Sequence, residues 1–154
     1  MSTVAGGDII LAADNNDLEN RIAVIEGRLT STGATSNAAA TSGTTELAID
    51  QVTTTLVTGK VYKCTWTLNW TGTVAADQFE IRQRFGSGIG GTVITSRTVA
   101  INSQFGLDLI SFFTAGSSGS LTVQGTVQRI SGTGTMTVTG SATKVRYITI
   151  ERMS

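Results

Sequence analysis

Six carboxylates are candidates for acid–base chemistry in this chain: Glu46, Asp50, Asp77, Glu80, Asp108 and Glu151. Glycoside hydrolysis needs two carboxyl groups held roughly 5–10 Å apart across a sugar bond. These six fall on separate strands and turns. Folding could bring a pair together, but no spacing demands it, and solvated strand faces account for them better. The chain has no histidine, so the commonest general base and metal ligand is missing. Cys64 is the single cysteine. It has no evident partner base, and it lies between Tyr62 and Trp66 on an apolar face, as a small buried core residue does. One cysteine also excludes an intrachain disulfide framework and a multi-cysteine metal site. Tyr62, Trp66 and Trp70, spaced by four, could stack against a sugar ring; because Cys64 and Leu68 share their face, core packing is the stronger reading. The runs 86–91 and 131–134 resemble phosphate loops only in glycine content. Neither leads from a strand into a helix, and both read as hairpin tips. Asn69-Trp70-Thr71 matches a glycosylation acceptor but carries no weight without a secretory leader. No enzyme, metal or cofactor is expected.

The elements that position these groups are short strands. From Glu46 onward Thr, Val, Ile and aromatic residues alternate, broken by Gly and Ser at the intervals of a sandwich or barrel. The clearest strand is Val61–Trp70, with Tyr62, Cys64, Trp66, Leu68 and Trp70 on one face. Gln78–Phe85 places Phe79, Ile81 and Phe85 opposite Glu80, Arg82 and Arg84. Thr92–Ile101, Phe105–Thr114, Ser120–Ile130, Thr135–Thr139 and Thr143–Met153 follow, with two strands expected across Leu47–Val57, about eight in all. Two runs are apolar on both faces. Phe105–Phe113 sets Ile110 and Phe112 opposite Phe105, Leu107, Leu109 and Phe113; Val145–Ile150 sets Ile148 and Ile150 opposite Val145 and Tyr147. A free sandwich strand normally has one solvated face. Either a long loop covers the second face or a neighbouring subunit does. Ile110, Phe112, Ile148 and Ile150 are the candidate interface residues.

The N-terminal segment has a different period. Leu18, Ile22, Ile25 and Leu29 step by four, three and four, which is a coiled-coil seam, with Asn15 at a further seam position. Arg21 and Glu26 then fall at g and e, positioned for an ion pair between parallel chains. Asp14 is a good helix cap. The organisation expected is a docking arm over 1–13, a coiled-coil helix over 14–30, a small-residue polar linker over 31–45 and a β-sandwich over 46–154. The arm carries the apolar triplet Ile9, Ile10 and Leu11, which needs a surface to dock on. Ile-rich a positions and a wide β interface point to three chains. The seam is short: burying its four side chains contributes about 6–12 kcal/mol per chain, against a backbone ordering cost on the order of 16–32 kcal/mol. The β-domain must therefore supply most of the association.

Eleven acidic residues balance eleven basic ones, so there is no electrostatic footprint for nucleic acid. No apolar run is long enough to span a bilayer, and the N-terminus lacks the features of a secretory signal. Nucleic-acid binding and membrane insertion are not expected.

The order of parts, "AGGDII", then "DNNDLENRIAVIE", then a polar stretch and a Thr/Gly-rich β domain ending in "VRYITIERMS", resembles small virion proteins of tailed bacteriophages, particularly those infecting actinobacteria. The sequence-specific part of the resemblance is Gly7–Ile25. It implies a homotrimer whose arm and helix attach to the particle while the β domain projects. It also implies a jelly-roll-like antiparallel sandwich similar to tumour-necrosis-factor and complement-type trimers and viral fibre heads. The function implied first is capsid decoration on the virion exterior, made in the host cytoplasm, with the major capsid protein or tail proteins as partners. The second is a minor tail or tail-tip protein that binds host-surface glycan; a polysaccharide depolymerase is the third.

Overall fold

A computed structural model describes residues 29–34, 36–38, 40–101 and 105–153, and of Phe105 the backbone alone. These residues form two antiparallel sheets packed face to face, a mainly β, jelly-roll-like sandwich. The first sheet holds β1 (Leu29–Ala34), β10 (Arg146–Arg152), β4 (Val61–Gly72), β9 (Met136–Thr139) and β2 (Ala40–Thr41) in that order, with β7 (Phe105–Thr114) on the other side of β4. The second runs β3 (Leu47–Leu56), β8 (Gly119–Ser131), β5 (Gln78–Phe85) and β6 (Val93–Ala100).

Period-2 alternation decides which side chains make the core. On β4, Tyr62, Cys64, Trp66, Leu68 and Trp70 all point inward and are buried, as their spacing predicts. Phe79 and Ile81 of β5, Val123 and Val127 of β8, and Ile148 and Ile150 of β10 face them from the other strands. Burial pushes the Cys64 thiol up to about 12, so it is protonated and inert at neutral pH. Trp66 occupies the centre. Its ring lies against Gly125, where an added Cβ would come within 2.6 Å of the indole carbons. Alanine at 125 is therefore expected to lower stability by about 1–3 kcal/mol, the usual cost of overpacking, read as a lower urea midpoint at unchanged slope.

Polar groups also tie the sheets together. The Gln83 amide donates to the Leu109 carbonyl at 2.8 Å and its oxygen accepts from the Ser111 hydroxyl, which joins β5 to β7 across the core. Asp50 turns inward at a bulge in β3 between Ala48 and Asp50. It accepts from the Trp66 indole N–H at 3.0 Å and from Arg146 Nε at 2.9 Å. A buried guanidinium and a buried indole N–H thus share one carboxylate.

The strand map corrects three expectations. Leu47–Leu56 is one bulged strand rather than two, because β8 pairs along its whole length. The stretch expected to be linker contains most of β1 and all of β2, so the sandwich includes residues ahead of Glu46. Leu29 and Thr30, expected as the last helical residues, open β1. Thr30 and Thr32 face inward beside Ile150 and Ile148, and pairing with β10 satisfies backbone groups that a helix here would leave exposed on the sheet edge. Leu29 is consequently no coiled-coil seam residue. Asn15, Leu18, Ile22 and Ile25, the Arg21–Glu26 pair and the Ile9–Leu11 triplet lie outside the described residues.

Candidate self-association face and edge cleft

The outward faces of the two sheets differ in chemistry. On the second sheet the outer face is polar. Gln51 and Thr53 pair with Gln124 and Thr122, and the Thr53 and Thr122 hydroxyls are 2.7 Å apart. Glu46 lies over this face, bound by Arg84 through Nε at 2.6 Å and by Arg82 at 2.8 Å, with the Thr126 hydroxyl also donating to it. Arg82 reaches Glu80 as well. Burial alone would raise the Glu46 pKa. The hydrogen bonds from Arg84 and Thr126 and the charges of Arg82 and Arg84 together outweigh it and hold the carboxyl below its usual 4.5. Glu80 is also held below 4.5, mainly by its hydrogen bond from Arg82.

A carboxyl with a depressed folded pKa contributes stability that is complete above its unfolded value and is lost as pH falls through the folded one. The melting temperature is therefore expected to fall as pH drops from about 5 to about 3, and Glu46→Gln to flatten that acid slope. Differential scanning calorimetry across this range checks both.

The first sheet presents a mixed outer face, with Ile110 and Phe112 on β7 and Leu29 on β1 separated by polar and charged residues of β4 and β10. Register places Ile110, Thr65, Thr149 and Ser31 in one row across β7, β4, β10 and β1, and Phe112, Lys63, Glu151 and Leu29 in the next. A third row holds Asp108, Thr67, Tyr147 and Gly33. Phe112 is 61% exposed, Leu29 55% and Ile110 45%, with Tyr147 and Val145 at 38%. Ile110 and Phe112 are neighbours on β7, whereas Leu29 stands beyond Lys63 and Glu151 in the row of Phe112. Ile110 and Phe112 thus stand where the sequence put them, on the outward face. Ile148 and Ile150 do not. They lie opposite Trp66 and Cys64, the inward residues of β4, and are fully buried. Their strand is apolar on both sides, so its own pattern could not choose a face; Tyr147 is the outward residue that the interface list missed. Leu29 joins this face through β1.

The other feature is an open cleft of about 320 Å³ where the two sheets part at their edges. Each of β6 and β7 has one neighbour among the described strands, so each leaves an edge unpaired there. The cleft is lined by Trp70, Arg97, Thr98, Val99, Gly106 and Leu107, together with Ala100. Of the three aromatics considered for sugar stacking, Tyr62 and Trp66 are buried in the core, and Trp70 borders the cleft.

Five of the six carboxylates are built into the sandwich, and Glu151 stands exposed on the outer face of the first sheet. Glu46, Glu80 and Asp50 are ion-paired, Asp77 accepts from the Gly134 backbone N–H and Asp108 from the Thr67 hydroxyl. No group of three His, Cys, Asp or Glu among the described residues could hold a metal ion. No helix among them is long and apolar enough to cross a membrane.

No family model matches the chain, and no curated protein matches it. Solved structures do. The Eiger tumour-necrosis-factor protein from S. frugiperda aligns with a TM-score of 0.51 at 11% identity, covering 82% of this chain and 92% of that one. The infectious bursal disease virus VP2 subviral particle aligns at 0.44 and 13% identity, over 82% of this chain and 37% of that one. The EclA C-terminal domain, a sugar-binding protein, aligns at 0.42 and 14% identity, over 76% of each chain. The first of these places the fold among two-sheet jelly-roll-like sandwiches.

Proposed function

We propose that the chain is a non-enzymatic structural and binding protein of the exterior of a tailed-bacteriophage virion, assembled as a homotrimer. The observation that carries the assembly is the outward face of the first sheet, where Ile110, Phe112, Tyr147 and Leu29 stand exposed. The occupant argued for is further copies of this chain. Residues 1–28, with their seam of Leu18, Ile22 and Ile25, lead directly into Leu29 on that same face. A parallel seam would bring like faces together at its C-terminal end. In this reading Ile9, Ile10 and Leu11 dock onto the major capsid protein or onto tail proteins, and trimerisation adds avidity for a site of matching symmetry.

Within that class the two placements differ in what they ask of the domain. Capsid decoration needs only an anchor and a stable exterior. A minor tail or tail-tip protein that meets host glycan needs a ligand site, and the cleft at the sheet edges, bordered by an indole and a guanidinium, favours this second reading. Gold-labelled antibody against the chain, applied to purified particles, is expected to mark tails. Marking of the head lattice would restore capsid decoration, and absence of label from particles would defeat the virion assignment. A depolymerase ranks last: shortening of host polysaccharide by the purified chain would be needed to revive it.

A further inference from the structure

We infer that the cleft between β6 and β7 is a subsite for an anionic sugar, one carrying a carboxylate or a phosphate. This deepens the host-glycan reading and rests on it. Three independent features converge. The first is a concavity of about 320 Å³, at the lower end of the range for small-ligand sites.

The second is Arg97. Its register beside Ile81 sets it on the core-facing side of β6, but β6 is an edge strand, so the residue comes out exposed at the cleft. It makes no ion pair or hydrogen bond with any other described residue. Other arginines of the sandwich are committed: Arg82 and Arg84 to Glu46, Arg146 to Asp50. A free, planar five-donor group at the edge of a cavity suits carboxylate or phosphate oxygens, which it can engage with paired bonds.

The third is Trp70. The residue is 3% exposed, and its indole Nε1 has no acceptor among the described residues. A buried donor left unsatisfied costs on the order of 1–3 kcal/mol; Nε1 is closed to solvent, so a ligand oxygen reaches it only with a shift of the cleft wall. Val99 and Leu107 supply apolar wall for the C–H face of a ring. The combination of apolar wall, orphan donor and free guanidinium selects a ligand with both a ring and a negative charge. A neutral sugar leaves Arg97 unused, and a bare anion leaves the wall unused.

The test titrates the full-length, ¹⁵N-labelled chain with glucuronic acid, glucose 6-phosphate and glucose, following the two indole N–H resonances by NMR. Saturable movement of the Trp70 resonance with the two charged sugars is expected, and the two arms show whether the carboxylate or the phosphate is preferred. Glucose is expected to bind at least tenfold more weakly. Arg97→Gln is expected to weaken the charged sugars about tenfold at unchanged melting temperature, and Leu107→Trp to abolish the response by filling the cleft. Equal response to glucose, or no response to either charged sugar, overturns the proposal. So does an Arg97→Gln variant whose sugar response is unchanged but whose sedimentation alters, since the cleft would then be a contact between copies. A parallel pull-down on purified host envelope glycans separates the two levels. Retention that survives Arg97→Gln removes the cleft and leaves the glycan reading standing; no retention of the unaltered chain removes the glycan reading itself.

Discussion

Asp50→Ala is expected to cost about 3–5 kcal/mol of folding stability, a large share of the roughly 5–15 kcal/mol that a domain of this kind has. The side chain contributes through what it satisfies. Arg146 is nearly buried and bonds Asp50 at 2.9 Å, and the Trp66 N–H bonds the other oxygen at 3.0 Å. Removing the carboxylate leaves a buried cation and a buried donor without their acceptor, and breaking one half of a buried pair costs more than the intact pair contributes. Asp50→Asn, which keeps an acceptor but loses the charge, is expected to fall between. The double replacement Asp50→Leu with Arg146→Met is expected to recover much of the loss, because no charge then remains buried. Urea unfolding of the unaltered chain, Asp50→Leu, Arg146→Met and the double replacement provides the cycle; independent, additive losses would show that Asp50 and Arg146 are not coupled.

The second large effect concerns assembly and not folding. Ile110→Asp combined with Phe112→Asp is expected to release monomers. Each truncated interface anchor typically costs 2 kcal/mol or more, roughly thirtyfold in affinity, and the introduced charges add desolvation and mutual repulsion around the axis. Both residues are exposed in the single chain, so the fold of the released monomer should be intact, with its core unaltered. Ile148→Ala is the control with the opposite signature. It lies in the core, so it is expected to cost about 2–5 kcal/mol of folding stability while leaving the outer face unchanged. Analytical ultracentrifugation and thermal melts, run side by side on both variants, separate the two signatures.

That contrast marks where the sequence was legible. Strong alternation with polar residues on one side identifies both strand and face, so Val61–Trp70 and Gln78–Phe85 were readable down to the inward side chain. A run apolar on both sides identifies the strand but not its orientation. For β7 the residues named, Ile110 and Phe112, are exposed; for β10 the residues named, Ile148 and Ile150, are taken into the core by pairing with Trp66 and Cys64. The β1 strand was hidden because Leu29 also completes a heptad spacing and the Thr/Gly run after it has no apolar period. Only β10, more than a hundred residues away in the chain, recruits it. The cleft was invisible for a related reason: Trp70, Arg97 and Leu107 come from three strands and meet only through the packing of two sheets. Glu46 was counted among the solvated carboxylates, since nothing local announces that Arg82 and Arg84 will close on it.

The central claim is that copies of this chain associate through the outer face of the first sheet. Sedimentation equilibrium of the full-length chain at micromolar concentration tests it most directly, with the Ile110→Asp, Phe112→Asp chain measured beside it. The expected result is about three times the 16.0 kDa chain mass for the unaltered protein and a single chain for the variant. A monomer for the unaltered protein, or a trimer that survives both substitutions, would contradict the account.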